Sequence, residues 1–158
     1  MRPALTIAEL IVSSSLTRGA MTILLLTLSA AGFLIAAWFT LVTYGVVPPD
    51  GKFIPAFCRM DQGTCATVLR HSDARALGLP NALYGALFYL LVAVSAVAGS
   101  GNLFRQIMIL ASWIAVALGV YLSYSLLFKI RVRCVLCFTS HAINAAIALL
   151  FLAEGQRS

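Results

Sequence analysis

Charged residues in this chain fall in clumps, and between the clumps lie four long stretches with no formal charge. Arg18 and Asp50 bracket 31 uncharged positions, Arg75 and Arg105 bracket 29, Arg105 and Lys129 bracket 23, and Arg133 and Glu154 bracket 20. A helix rises 1.5 Å per residue, so about 20 apolar residues cross a hydrocarbon core about 30 Å thick. The pattern predicts an all-α, polytopic membrane protein: one domain over residues 1–158, with a bundle of four transmembrane helices near 21–47, 80–99, 103–128 and 134–153. Residues 1–20 are an N-terminal segment whose weakly amphipathic stretch (Leu5, Ile7, Leu10, Ile11) reads either as an interfacial helix or as a frayed terminus. Segment 48–79 is the one substantial extramembrane region.

Local punctuation refines these elements. The first apolar run is roughly twice the 7–15 residues of a signal-peptide core, so it is expected to be a retained helix. Trp38, Phe39 and Tyr44 lie toward its far end, where amphipathic rings favour the headgroup level, and Pro48-Pro49-Asp50-Gly51 is expected to stop it. Pro80 suits the first turn of helix 2. The tight connection Gly99-Ser100-Gly101-Asn102 is expected to make helices 2 and 3 antiparallel neighbours. Ala111, Ala115, Gly119 and Ser123 repeat at four-residue spacing on helix 3, a strip of small side chains that lets another helix approach closely. Loop 48–79 follows one crossing and the 129–133 connector follows three, so both belong to one face of the membrane.

Composition narrows the classes. Of 158 residues, 61% are hydrophobic and 10% charged, far from a soluble average near a quarter charged. The net charge of +6 is spread over membrane-flanking segments without interleaved aromatics, which disfavours nucleic acid and favours anionic lipid headgroups as counter-charge.

The four cysteines carry the chemistry, and parity puts all of them on one side. Cys134-Val135-Leu136-Cys137 opens helix 4, with its sulfurs at i and i+3 on one helical face, close enough to bond to each other. The helix macrodipole and orphan N–H groups there favour a thiolate, and Arg131 and Arg133 add positive charge. Cys58 and Cys65 lie in the polar loop with Gly63 between them and can also close a disulfide. Two dithiols on one face are the parts of a relay that works by thiolate attack through mixed disulfides. Two other readings stay open: a non-catalytic membrane protein stapled by structural disulfides, or one holding a structural zinc. Asn81 is a further functional candidate, because an amide near the end of a spanning helix is costly unless paired. Asn144 reads as an interhelical hydrogen-bonding residue.

Cys58…Cys65-Ala-Thr-Val-Leu, Gly78-Leu-Pro-Asn81-Ala-Leu-Tyr84-Gly85-Ala-Leu-Phe88-Tyr89, Val120-Tyr121-Leu122 and Cys134-Val-Leu-Cys137-Phe-Thr-Ser-His141-Ala-Ile-Asn144 together resemble the vitamin K epoxide reductase family, over roughly residues 25–153. The resemblance implies a four-helix membrane bundle around a quinone, capped by the cysteine-bearing loop between helices 1 and 2. It implies that Cys58 takes electrons from a partner thiol, that Cys65 passes them to Cys134, and that Cys137 faces the quinone. Asn81 matches the asparagine that bonds a quinone carbonyl. Val68, Leu69, Tyr84, Phe88, Leu122 and Leu126 match the apolar pocket lining. Where the family often carries a tyrosine this chain has His141, whose neutral imidazole is able to donate the same bond or relay a proton, or else is simply a packed helix residue. The family's loop serine aligns with His71, beside Ser72, and either is able to replace it.

The resemblance further implies a thiol:quinone oxidoreductase that supports disulfide formation, with ubiquinone, menaquinone or vitamin K as the quinone. No metal is implied. The alternative activity is thiol-driven reduction of vitamin K quinone or its 2,3-epoxide. An unrelated DsbB-type oxidase would carry its C-x-x-C in the first loop rather than at helix 4. A separate thioredoxin-like or DsbA-like dithiol protein, rather than a thioredoxin-like domain joined to the bundle, is the expected partner. The cysteine side carries Lys52, Arg59, Arg70, Arg75, Lys129, Arg131 and Arg133, against Arg2, Arg18, Arg105 and Arg157 opposite. A positive-inside count would turn the cysteines to the cytoplasm. Several of those charges sit in the catalytic loop, however, and the reading adopted is a multi-pass inner-membrane protein with its cysteines on the periplasmic side.

Overall fold

The computed structural model describes residues 7–48, 68, 74–98 and 101–155; Cys58, Cys65, Leu69, His71 and Ser72 lie outside them. Helix α1 (Ile7–Thr43) is one continuous rod, followed by a small antiparallel hairpin, β1 (Arg75–Ala76) and β2 (Leu79–Pro80). Then come α2 (Asn81–Ala98), α3 (Asn102–Tyr124) with a π-helical extension (Ser125–Ile130), and α4 (Val135–Gly155). The runs Arg18–Thr43, Asn81–Ala98, Asn102–Ile130 and Val135–Gly155 are each long and apolar enough to cross a membrane. The fold is a helical membrane bundle with four spans among the described residues.

Several boundaries differ from the sequence expectation, each for a local reason. Helix α1 starts at Ile7 rather than near residue 21, because nothing between Pro3 and Thr43 breaks it; at 37 residues it is about 55 Å long. It stops at Thr43, ahead of the Pro48-Pro49 pair. Gly45 adopts φ +72°, its N–H donates to the Val42 carbonyl (3.1 Å), and the Val46 N–H donates to the Leu41 carbonyl (2.9 Å). This is a Schellman stop, with glycine in the left-handed position that a side chain would strain. Pro80 ends β2 and α2 begins one residue later. The hairpin turns through Leu77 (φ 52°) and Gly78 (φ 84°), the two positive-φ positions of a type I′ turn.

Several threonine and serine hydroxyls inside the spans are satisfied within their own helices. Thr27, Ser29, Thr40 and Thr43 donate to the carbonyls of Ile23, Leu25, Ala36 and Phe39, respectively. Water is missing from a hydrocarbon core, so such back-bonding is what makes these residues tolerable there.

Helix α1 packs along α2 and against α4, and α3 packs on α4. Leu25, Ala36, Tyr89, Val92, Met108, Ile143, Ile147 and Phe151 form one core cluster. Phe39, Leu126 and Cys134 form a second one, toward the cysteine side. Phe39 is therefore a core residue rather than a headgroup anchor, whereas Tyr44 is exposed. The α1–α2 contact is close because Gly32 lies under the Tyr89 ring and Ala36 faces Gly85, a small-residue seam that sequence reading overlooked. Among the described residues α2 and α3 do not pack closely on each other, despite the short link between them. What separates them is a cavity.

Candidate active site

The cavity measures about 690 Å³, within the usual range for a small-molecule site, and its lining is mostly apolar. Helix α1 supplies Ala36 and Phe39, and the hairpin supplies Leu77 and Pro80. From α2 come Asn81, Tyr84, Phe88 and Tyr89. The strip Ala111, Ala115 and Gly119 of α3 faces this space, so its small side chains make room for it as well as for a neighbouring helix. Leu122, Ser125, Leu126 and Ile130 complete that wall, and Val68 lines the cavity too. Tyr84, Ile114, Leu118 and Tyr121 line the cavity while remaining 38%, 52%, 56% and 48% exposed, so the space opens laterally between α2 and α3.

Helix α4 contributes the chemically active wall: Cys137, Ser140, His141 and Asn144. Cys134 stands just before the helix as its N-cap. Its carbonyl accepts from the Phe138 N–H (3.2 Å), and its Sγ accepts from the Cys137 N–H (3.4 Å), as a serine hydroxyl would at that position. Cys134 is fully buried and disulfide-bonded, whereas Cys137 is a free thiol. The bond therefore does not run within the C-x-x-C pair, although its spacing would permit that. The motif holds one sulfur in a bond to another part of the chain and offers the other to the cavity.

The segment feeding Cys134 has unusual backbone geometry. Ser125–Ile130 is wound as a π-helix and ends at Arg131 in the left-handed region (φ 59°). The Arg131 and Val132 N–H groups both reach back to the Leu126 carbonyl, which turns the chain sharply into the buried Val132 and Cys134. The wide turn carries one extra residue, a distortion often found beside functional sites. Lys129 Nζ donates to the Tyr121 hydroxyl (3.1 Å) and lies 5.1 Å from that ring's centre, at the cavity wall. Arg131 and Arg133 themselves are exposed.

Two polar atoms on the cavity wall, His141 Nδ1 and Asn144 Oδ1, are buried with no hydrogen-bond partner among the described residues. Asn144, expected to bond across helices, instead faces the cavity. A spacing of three from His141 was the sequence signal that could have placed it there. The Tyr89 hydroxyl donates to the Ser140 carbonyl (3.2 Å) and ties α2 to the turn that carries His141. The structure thus gathers Asn81, Tyr84, Phe88, Val68, Leu122, Leu126, His141 and Cys137 around one space. An apolar cavity with a free thiol and a few polar atoms suits a flat, oily molecule carrying carbonyl groups.

The family model for vitamin K epoxide reductases matches residues 23–152. The chain belongs to the vitamin K epoxide reductase family. Comparison with curated protein sequences finds no match. Vitamin K epoxide reductase family members are helical membrane proteins, and the match covers all but a few residues of the four spans described above. Membership makes this chain a multi-pass membrane oxidoreductase of the thiol-dependent, quinone- or epoxide-reducing type.

Proposed function

We propose that this vitamin K epoxide reductase family protein is a thiol:quinone oxidoreductase that supports disulfide formation. A partner dithiol loses two electrons and two protons and becomes a disulfide, while a quinone gains both and becomes a hydroquinone. In this reading Cys58 exchanges with the partner, Cys65 with Cys134, and Cys137 delivers the electron pair at the cavity. The observation that carries it is the split state of the C-x-x-C pair: Cys134 is bonded elsewhere, while Cys137 is free and lines the cavity. Attack of the Cys137 thiolate on the Cys134 disulfide would close the Cys134–Cys137 bond and release the other sulfur, and reversal of that step re-arms Cys137. The quinone, when bound, supplies the two-electron acceptor. Asn81 and His141 are the residues proposed to hold its oxygens, and the apolar lining keeps water from the exchange.

The test is anaerobic reduction of a benzoquinone or naphthoquinone by purified protein with dithiothreitol, followed by absorbance. Turnover is expected, and its absence for both ring types would overturn the assignment. Including the vitamin K 2,3-epoxide in the same assay separates the quinone from the epoxide activity. In that assay Asn81→Ala is expected to raise the quinone KM by about tenfold, the effect of losing one hydrogen bond worth about 1.4 kcal/mol. An unchanged KM would give Asn81 a purely structural role.

We also place the cysteine face on the periplasmic side of an inner membrane, with the dithiol partner a separate thioredoxin-like or DsbA-like protein. An impermeant maleimide should then label Cys58 in intact, reduced spheroplasts. Labelling of Cys58 only in inverted vesicles would reverse the orientation and the compartment of the partner.

A further inference from the structure

We infer that Asn144 is a positioning residue for His141. One water, donating a hydrogen to each of Asn144 Oδ1 and His141 Nδ1, fixes the imidazole in the tautomer that carries its proton on Nε2. The inference rests on the thiol:quinone reading only for what Nε2–H then does, which is to donate to a carbonyl oxygen. Its own ground is hydrogen-bond counting. Both atoms are buried and unpartnered among the described residues, and both residues line one cavity. Residues three apart on a helix are surface neighbours, about 5–6 Å between Cβ atoms, a span that a water bridges. An amide oxygen only accepts, and a neutral imidazole has one accepting and one donating nitrogen.

With the proton on Nε2, Nδ1 and Oδ1 are two acceptors, matched by the two hydrogens of one water. With the proton on Nδ1, the same water accepts from His141 and donates to Asn144. Its second hydrogen is then left without an acceptor. Gly119 gives the arrangement its room: a Cβ there would stand 3.0 Å from Nδ1 and 3.2 Å from Cγ of His141. The Tyr89 hydroxyl, bonded to the Ser140 carbonyl, steadies the same turn from the other side.

The experiment is ¹⁵N NMR of full-length protein labelled at its histidine nitrogens, in micelles without quinone. The chain has two histidines, and the His141 signals are assigned by their loss in His141→Gln. The Nε2–H form is expected to dominate in the wild type and in Asn144→Asp, which keeps the acceptor. In Asn144→Ala the ratio should shift several-fold toward Nδ1–H. Quinone kcat should fall in that variant by at least about tenfold, as for other histidines that lose the group fixing their tautomer, with the KM for dithiothreitol unchanged. A wild-type signal dominated by Nδ1–H overturns the inference even if the alanine variant does not fold, and so does an unchanged ratio in Asn144→Ala. The tautomer is read with no quinone present, so this result stands apart from whether the wild type turns quinone over, which tests the function itself.

Discussion

Cys137→Ala is expected to lose quinone reduction by about a thousand-fold or more while its disulfide exchange with thiols persists, since removing the reacting nucleophile leaves only binding. The asymmetry follows from where the two sulfurs sit. Cys134 is fully buried, takes part in a disulfide and is not among the cavity residues, whereas Cys137 is the free thiol on the cavity wall. In the proposed relay, the electron pair has no sulfur from which to leave once Cys137 is gone. The bond between Cys134 and its partner, expected to be Cys65, forms without it and should accumulate. Two measurements check this: quinone absorbance under anaerobic single turnover, and mass spectrometry of the non-reduced protein for a Cys65–Cys134 link. Retained turnover in Cys137→Ala would remove it as terminal donor. A variant that neither turns over nor carries the link would mean that the exchange chain runs through other sulfurs.

The second large effect is expected from a residue with no chemistry of its own. In Gly32→Ala the new methyl would collide with the Tyr89 ring, whose edge already occupies that position. Tyr89 is 2% exposed and its hydroxyl is tied to the Ser140 carbonyl, so the ring gives way only at the expense of that bond. Overpacking of a tight core typically costs about 1–3 kcal/mol. Here it should also pull the Tyr89 hydroxyl off the Ser140 carbonyl, one residue from His141. Both thermal stability in detergent and quinone affinity are therefore expected to fall. Adding Tyr89→Leu should recover most of the stability, because the collision goes, but not the affinity, because the tie to Ser140 goes with it. Additive losses in the double variant would show that Gly32 and Tyr89 do not meet.

Much of this architecture is legible in the primary sequence, for a physical reason. Burying a charge in hydrocarbon is so unfavourable that gaps between arginines, lysines and acids mark the spans directly. Asn81, His141 and Cys137 stand out for the same reason, as polar groups in apolar runs. Contacts between spans were harder to see. Lipid-facing and core-facing side chains are equally apolar, so no periodicity in α2 or α3 reports which side meets a neighbour, and a short link suggested a contact that a cavity replaces. Pro48-Pro49 is the louder stop in the sequence, yet the chain leaves the helix at Gly45, because the N–H groups of Gly45 and Val46 satisfy the last carbonyls and proline has none to give. The role of Asn144 needed the three-dimensional setting, since the same amide serves equally well as a bond between helices. The π-helical turn at Ser125–Ile130 has no local sequence marker.

The gap between α2 and α3 has a bearing on how binding is to be quantified. A guest entering through that gate comes from the hydrocarbon phase, so its relevant activity is the mole fraction dissolved in lipid, not the molarity of the bulk solution. Apparent Michaelis constants should then scale with detergent or lipid volume at fixed total quinone, and long-tailed and short-tailed acceptors become comparable only after correction for partitioning.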